Sequence, residues 1–302
     1  MSARELIEFI ALAAIWGASF LFMRIAAPEL GPVPLMLLRC GIGAITLLPA
    51  LWLRGAWPAL RAAALPIALI GVINSAIPFV LLGMASLVLA AGTTSILNGL
   101  APLWSAAIAF AVFGDRLTRW QVVGLLLGIG GVVLLSGTGA APGEQVDTGA
   151  LLLAFGAAVG ATLAYGFGAN LTRARLRGVD PLAVAAGSQL SASAVLLLPA
   201  LLLWPEAPSA GPGVPAIVLG LSVLALGTVC TGFAYLLFFR LIASLGATRA
   251  VSVTFVIPVF GLGWGALLLG ETIDRWTLAG AAVILLGTAL ATGTLKPRGR
   301  SV

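Results

Sequence analysis

PLWSAAIAFAVFGDRLTRWQVVG at residues 102–124 returns, 156 positions later, as PVFGLGWGALLLGETIDRWTLAG at residues 258–280. Pro102, Gly114, Arg119, Trp120, Gly124 and Gly131 meet Pro258, Gly270, Arg275, Trp276, Gly280 and Gly287 at that one offset, and Asp115 meets Glu271. In both stretches an apolar run stops at glycine and an acid, and a tryptophan opens the next run, the punctuation of two helices joined by a short loop. The front of each half repeats as well. Trp16-Gly17 and Arg24 are echoed by Tyr165-Gly166 and Arg173, and LLPALWL at 47–53 by LLPALLL at 197–203. The chain reads as one unit copied once.

What the unit is made of follows from composition. The 302 residues are 61% hydrophobic and 9% charged, where a soluble domain carries about 25% charged residues. Apolar runs near the 20 residues needed to cross a bilayer fall at 6–27, 33–53, 65–85, 91–113 and 120–136, then at 149–172, 181–203, 214–242, 248–269 and 276–294. This predicts an all-α integral membrane protein of ten transmembrane helices, with a first five-helix repeat at 1–137, a linker at 138–148 and a second at 149–302. Five is odd, so the second copy enters from the opposite side and the repeats are inverted, the arrangement that lets two halves open alternately around a midplane site.

With the N-terminus on the cytoplasmic side, Arg4, Arg54, Arg61, Arg116, Arg119, Arg173, Arg175, Arg177, Arg240, Arg249, Lys296, Arg298 and Arg300 all fall on cytoplasmic loops or ends, as the positive-inside rule requires. Glu29, Glu144, Asp147, Glu206, Glu271 and Asp274 collect on the other side, with Arg275. Both termini are expected in the cytoplasm, and the sequence pI of 10.6 is explained by anionic lipid rather than nucleic acid. The first run is expected to stay as a spanning helix and not be cleaved as a signal. Cys40 and Cys230 read as small buried apolar residues. The chain has no histidine, and phosphate loops and nucleophile elbows are missing, so no metal, no cofactor and no enzyme activity are expected.

The tryptophan-glycine start of the first helix, Arg39 in the second, and the Pro…Gly-Asp/Glu…Trp…Gly pattern of both halves resemble the drug/metabolite transporter superfamily, its EamA family above all, in the company of aromatic amino-acid exporters of the YddG type. The resemblance covers nearly the whole chain. It implies a bacterial inner-membrane carrier with a central cavity lined by helices one to four and six to nine; a monomer or weak homodimer is expected. The cargo it implies is a small molecule, first an aromatic or bulky apolar amino acid or related metabolite. Because no Asp or Glu lies in the middle of a predicted span, where a proton relay would need one, export by gradient-driven facilitated transport or exchange is expected. Drugs, nucleosides and sugar derivatives on the same fold are the alternative cargo, and a non-transporting membrane scaffold the alternative role.

Polar side chains are costly in hydrocarbon and normally face the bundle interior. Asn74, Ser75, Asn98, Asn170, Ser188 and Gln189 sit well inside predicted spans, where amides and hydroxyls suit the ammonium and carboxylate of an amino acid; helix-to-helix hydrogen bonding is the other reading. Arg39, about two turns into its helix, is the sharpest charge, a match for a carboxylate or a guanidinium that snorkels to the headgroups. The deep aromatics Trp16, Phe79, Trp104, Tyr165, Tyr235, Phe238 and Trp264 supply flat walls or core packing. Pro78, Pro102 and Pro258 fall within apolar runs and, with Gly71 and Gly227, mark hinges or static kinks. The second half departs from the first where Gln189 stands opposite Arg39 and Ala234 opposite Pro78, which puts symmetric roles for those pairs in question. Gly124-x-x-x-Gly128 permits close helix approach, within the chain or at a dimer face.

Overall fold

A computed structural model describes residues 1–136, 147–206 and 214–295. The expected linker lies outside these residues up to position 146, as do Glu144, Lys296, Arg298, Arg300 and the middle of the proline-rich segment 204–215. The described residues contain no β-strand. Among the described residues, nine helices are long and apolar enough to cross a bilayer: α1 (Ala3–Leu30), α2 (Pro32–Leu53), α3 (Ala64–Ala85), α4 (Ala91–Phe113), α5 (Arg119–Ser136), α6 (Thr148–Arg175), α7 (Pro181–Leu202), α8 (Ala216–Leu245) and α9 (Arg249–Leu269). A shorter apolar helix, α10 (Arg275–Ala291), completes the bundle. At 1.5 Å per residue its 17 residues reach about 26 Å, a little under the hydrocarbon thickness.

The helix ends are set by local chemistry. Ser2 and Glu5 form a reciprocal capping box on α1, and the carboxylates of Asp147, Asp180 and Asp274 accept the first free N–H groups of α6, α7 and α10, satisfying donors that a helix leaves orphaned. Gly114 and Gly270 end α4 and α9 in the left-handed conformation, with φ of 75° and 67°, which L side chains resist. The repeated Gly-Asp/Glu pattern of the sequence is thus a helix stop used twice.

The most extensive helix contacts are the same when each helix is exchanged for the one five later. The pair α1–α9 corresponds to α6–α4, α8–α1 to α3–α6, and α8–α2 to α3–α7, while α2–α7 and α5–α10 map onto themselves. The contacts match at residue level: Gly17 lets α1 settle on Phe260 of α9, and Gly166 lets α6 settle on Trp104 of α4. Where α5 crosses α10, Gly124 lies against Gly287 and Gly131 against Gly280. Gly124 and Gly128 therefore face partners within the chain, the latter packing on Leu103.

The inversion is visible along α4. At its start, the backbone N–H groups of Ala91 and Gly92 donate to Glu271 at 2.7 and 3.1 Å; just past its end, Asp115 pairs with Arg173 at 2.8 Å. The two matching turns, GDRLTRW and GETIDRW, therefore lie at opposite ends of one membrane-length helix. The end that carries Asp115 also carries the N-terminus, and is called the N-terminal face below.

The corresponding helices are broken at corresponding places. In α3 the ladder widens to π spacing at Val72–Ala76, because Pro78 lacks an N–H and its ring crowds the carbonyl four residues before it; Ile77 bonds back to Val72. In α8 the π segment Ala225–Phe233 forms although Ala234 stands where Pro78 does, so the two helices widen at matching places without a matching proline. Pro102 and Pro258 do not sit inside continuous helices. Each begins a fresh segment, Ala101–Phe113 and Ile257–Leu269, after a turn at Gly99–Leu100 and a 3₁₀ turn at Ser252–Phe255.

The largest buried cluster joins Phe20, Met23, Leu35, Met36, Phe79, Leu226 and Ile257. Leu65, Leu126, Leu153, Leu202 and Leu267 are exposed on the outside of the bundle, as expected where the surrounding solvent is lipid.

Candidate functional site

A cavity of about 670 Å³ enters the bundle from the N-terminal face. Asp115 and Arg173, half-exposed and ion-paired, lie at its mouth with Gln121 and Thr292; its inner end is formed by Met23, Arg39, Phe79 and Thr231. Beyond that end the apolar cluster fills the space between α1, α2, α3 and α8.

Nine of the thirteen residues singled out from the sequence line this one space: Trp16, Arg39, Asn74, Phe79, Asn98, Tyr165, Asn170, Tyr235 and Phe238. The aromatics form facing walls. Trp16 and Phe238 lie 5.1 Å apart between ring centres, and Phe79 meets Tyr165 edge-on at 6.5 Å, arrangements aromatic pairs favour. Of the hinge candidates only Pro102 lines the cavity.

Arg39 is the centre of the closed end. Its side chain comes from α2, which the crossing with α8 brings against the π segment, and the residue is 6% exposed. The guanidinium lies over the Phe79 ring, 3.7 Å from its centre, Nε donates to Thr231 Oγ1 at 3.1 Å, and Nη1 points to Met23 Sδ at 3.7 Å. It does not snorkel, and among the described residues it forms no ion pair. A buried cation without a counterion is expensive; a cation–π contact and one neutral hydrogen bond offset only part of that cost. Such a group holds a standing attraction for an anion entering the cavity.

The amides divide. Asn170 is engaged in packing: Nδ2 donates to Ser105 O at 2.8 Å and Gly166 O at 2.9 Å, and Oδ1 accepts from Arg173 at 3.1 Å. Asn98, at the break in α4, keeps a buried Oδ1 with no hydrogen-bond partner, and Asn74 lies against Gly168 of α6. An unpaired buried acceptor costs about 1–3 kcal/mol, a cost that a hydrogen-bond donor brought by a ligand would offset.

Four candidates lie elsewhere. Ser75 and Gln189 are buried against each other, Gln189 Nε2 donating to Ser75 Oγ at 3.1 Å. Trp264 donates its indole N–H to Ala14 O at 3.0 Å, tying α9 to α1. Trp104 walls a separate, wholly apolar pocket of about 250 Å³ between α4, α5 and α6. Pro78 and Pro258 belong to the helix breaks. Gly71 and Gly227 are points of closest helix crossing, Gly71 on the backbone of Ser188 and Gly227 on Ile42. Sequence reasoning missed Thr231, Met23, Ser19 and the Asp115–Arg173 mouth; Cys230, read as plain core, is buried yet borders the cavity. Thr231 was within reach, because it sits at the Ser75 position of the repeat.

Comparison with known proteins agrees with this architecture. The EamA-like transporter family matches the chain twice, over residues 4–137 and 151–293. An uncharacterized transporter of Archaeoglobus fulgidus is 26% identical over 90% of this chain and 92% of its own. A probable terminal-alkyne amino-acid exporter of Streptantibioticus cattleyicolor is 28% identical over 91% and 89%. The uncharacterized inner membrane transporter YedA of Escherichia coli K12 is 27% identical over 93% and 88%. A solved crystal structure, 22% identical, shares the fold with a TM-score of 0.65 over 97% of this chain and 98% of the other. Doubled match, all-helical bundle and central cavity together make the chain a multi-pass membrane protein of the EamA-like transporter family, within the drug/metabolite transporter superfamily.

Proposed function

We propose that this transporter carries small carboxylate-bearing metabolites, aromatic or bulky apolar amino acids first, by rocking its two inverted halves, 1–137 and 149–302, about the central cavity. The observation that carries the reading is Arg39, a buried guanidinium without an ion pair at the closed end of an aromatic-walled space. A carboxylate meets its free edge in a charge-assisted contact, the unpaired Asn98 Oδ1 suits an ammonium N–H, and Trp16, Tyr165, Tyr235 and Phe238 suit a flat or bulky side chain. The relative named as an amino-acid exporter supports the same cargo class. Arginine enrichment at the N-terminal face supports a cytoplasmic placement of that face in a bacterial inner membrane, and the cavity then faces the cytoplasm, the loading state of an exporter.

The test is flux into liposomes of phenylalanine and of phenylalaninamide, its analogue without a carboxylate. Arg39→Gln should raise KM for phenylalanine by about tenfold or more, the loss of one charge-assisted contact, and leave the poorer transport of the amide nearly unchanged. Equal effects on both cargoes, or none on either at equal protein insertion, would remove Arg39 as the carboxylate anchor.

A further inference from the structure

The contact between Arg39 and Thr231 is made a second time in the molecule. Thr231 matches Ser75 at the offset of 156, and Gln189 stands in α7 where Arg39 stands in α2. Gln189 Nε2 donates to Ser75 Oγ at 3.1 Å, and Arg39 Nε to Thr231 Oγ1 at 3.1 Å. In each case a nitrogen donor on α2 or α7 meets a hydroxyl in the π segment of α8 or α3. One copy is neutral and sealed, the other charged and open to the cavity.

The hydroxyl of Thr231 has a fixed polarity. Its proton goes to Leu226 O at 2.9 Å, five residues back, a reach provided by the widened π ladder where an α-helical hydroxyl bonds three or four residues back. With its one proton spent there, the oxygen can only accept, and its acceptor capacity is turned on Arg39 Nε. Nε is thereby capped, the guanidinium is held over the Phe79 ring, Nη1 directs one N–H at Met23 Sδ, and the remaining N–H groups of Nη1 and Nη2 are the part left to receive a carboxylate. An arginine fork binds a carboxylate well only when its orientation is fixed.

From these contacts we infer that Thr231 is the positioning residue for carboxylate recognition: it orients Arg39 for the cargo and ties the anchor, which belongs to the first half, to the π segment of the second. This rests on the reading of Arg39 given above. Only the first-half arginine carries charge, so the recognition site is one-sided although the scaffold that holds it is duplicated.

Thr231→Val keeps size and branching but loses the acceptor. In liposomes the KM for phenylalanine should rise about tenfold, as for loss of a hydrogen bond to a charged group, with kcat and phenylalaninamide flux little changed, and Thr231→Ser should restore the original KM. In an Arg39→Gln background Thr231→Val should have no further effect on KM, since the residue acts through the guanidinium. Ser75→Ala, in the sealed copy, should leave KM where it was. Thr231→Val with unchanged KM while Arg39→Gln raises it would overturn the positioning role and leave the carboxylate reading intact; failure of both variants to change KM would overturn both. Equal loss for phenylalanine and its amide would reduce Thr231 to a packing residue. Should Thr231→Val not insert, Thr231→Ala against Thr231→Ser carries the same comparison, with thermal unfolding as the control for folding.

Discussion

Each acid near the transport path is already matched to a partner. Glu8, the carboxylate nearest a mid-span position, is gripped by Arg4 at 3.0 Å and Arg240 at 3.1 Å, and so staples α1 to α8 at the N-terminal face, away from the cavity. Asp115 lines the mouth but is paired with Arg173. A proton relay needs a carboxylate that changes ionisation as the path opens and closes, and among the described residues neither acid is placed at the closed end beside Arg39. Transport should therefore follow the cargo's own gradient. In liposomes with phenylalanine equal on both sides, an imposed pH gradient should produce no accumulation, and Glu8→Gln should leave the pH profile of flux unchanged; concentrative uptake driven by the pH gradient alone would contradict this. Arg39 was legible as the sharpest charge in the sequence because a guanidinium within an apolar run is conspicuous. Its depth was not, because snorkelling and burial differ only in which neighbour the side chain meets, and Phe79 and Thr231 lie 40 and 192 residues further along the chain.

At the scale of elements, apolar runs and breakers located the spans to within a few residues, since lipid demands about twenty apolar residues regardless of neighbours. The breaks were less readable. Pro78, Pro102 and Pro258 marked them, yet α8 widens into a π segment with alanine at the proline position, because glycines at 227 and 232 let α2 press close and Thr231 draws the carbonyl of Leu226. Pairing across helices was hidden for the same reason: Ser75 and Gln189 were visible as buried polar groups, and only the crossing of α3 with α7 makes them partners. The α5–α10 crossing is the most exacting. A Cβ added at Gly287 would lie 2.6 Å from the Gly124 carbonyl oxygen, a contact that cannot give way, since both sides are backbone. Gly287→Val should lower stability by about 2 kcal/mol or more, read as a fall in the detergent-solubilised melting temperature, whereas Gly130→Ala, with open space around it, should be tolerated.

At the scale of the molecule, the cavity opens at one face and is shut at the other by one contact within the first half and one between the halves. At the closed face Arg24 donates to the carbonyls of Ser86 and Leu87 at 3.1 and 2.8 Å, joining α1 to the end of α3. Glu271 reaches from the α9–α10 turn to cap α4 through two backbone N–H groups. Its carboxylate is buried against Gly265, where any side chain would collide with it. At the open face the matching acid, Asp115, is half-exposed. The matching acid is thus buried where the molecule is closed and half-exposed, held by Arg173, where it is open. Glu271→Gln replaces one acceptor oxygen with an NH₂ group and leaves an N–H of α4 without a partner, a cost of about 1–2 kcal/mol to the closed face. For two states separated by a few kcal/mol, that loss shifts the population about tenfold toward opening at the Glu271 face. Cys230 reports the change, because it borders the cavity while Cys40 does not. In a Cys40→Ser background, a membrane-impermeant thiol reagent added at the Glu271 face should label Cys230 several-fold faster in Glu271→Gln than in the parent, and more slowly from the N-terminal face. Identical labelling rates from both faces would mean that Glu271 holds α4 in place without holding the gate.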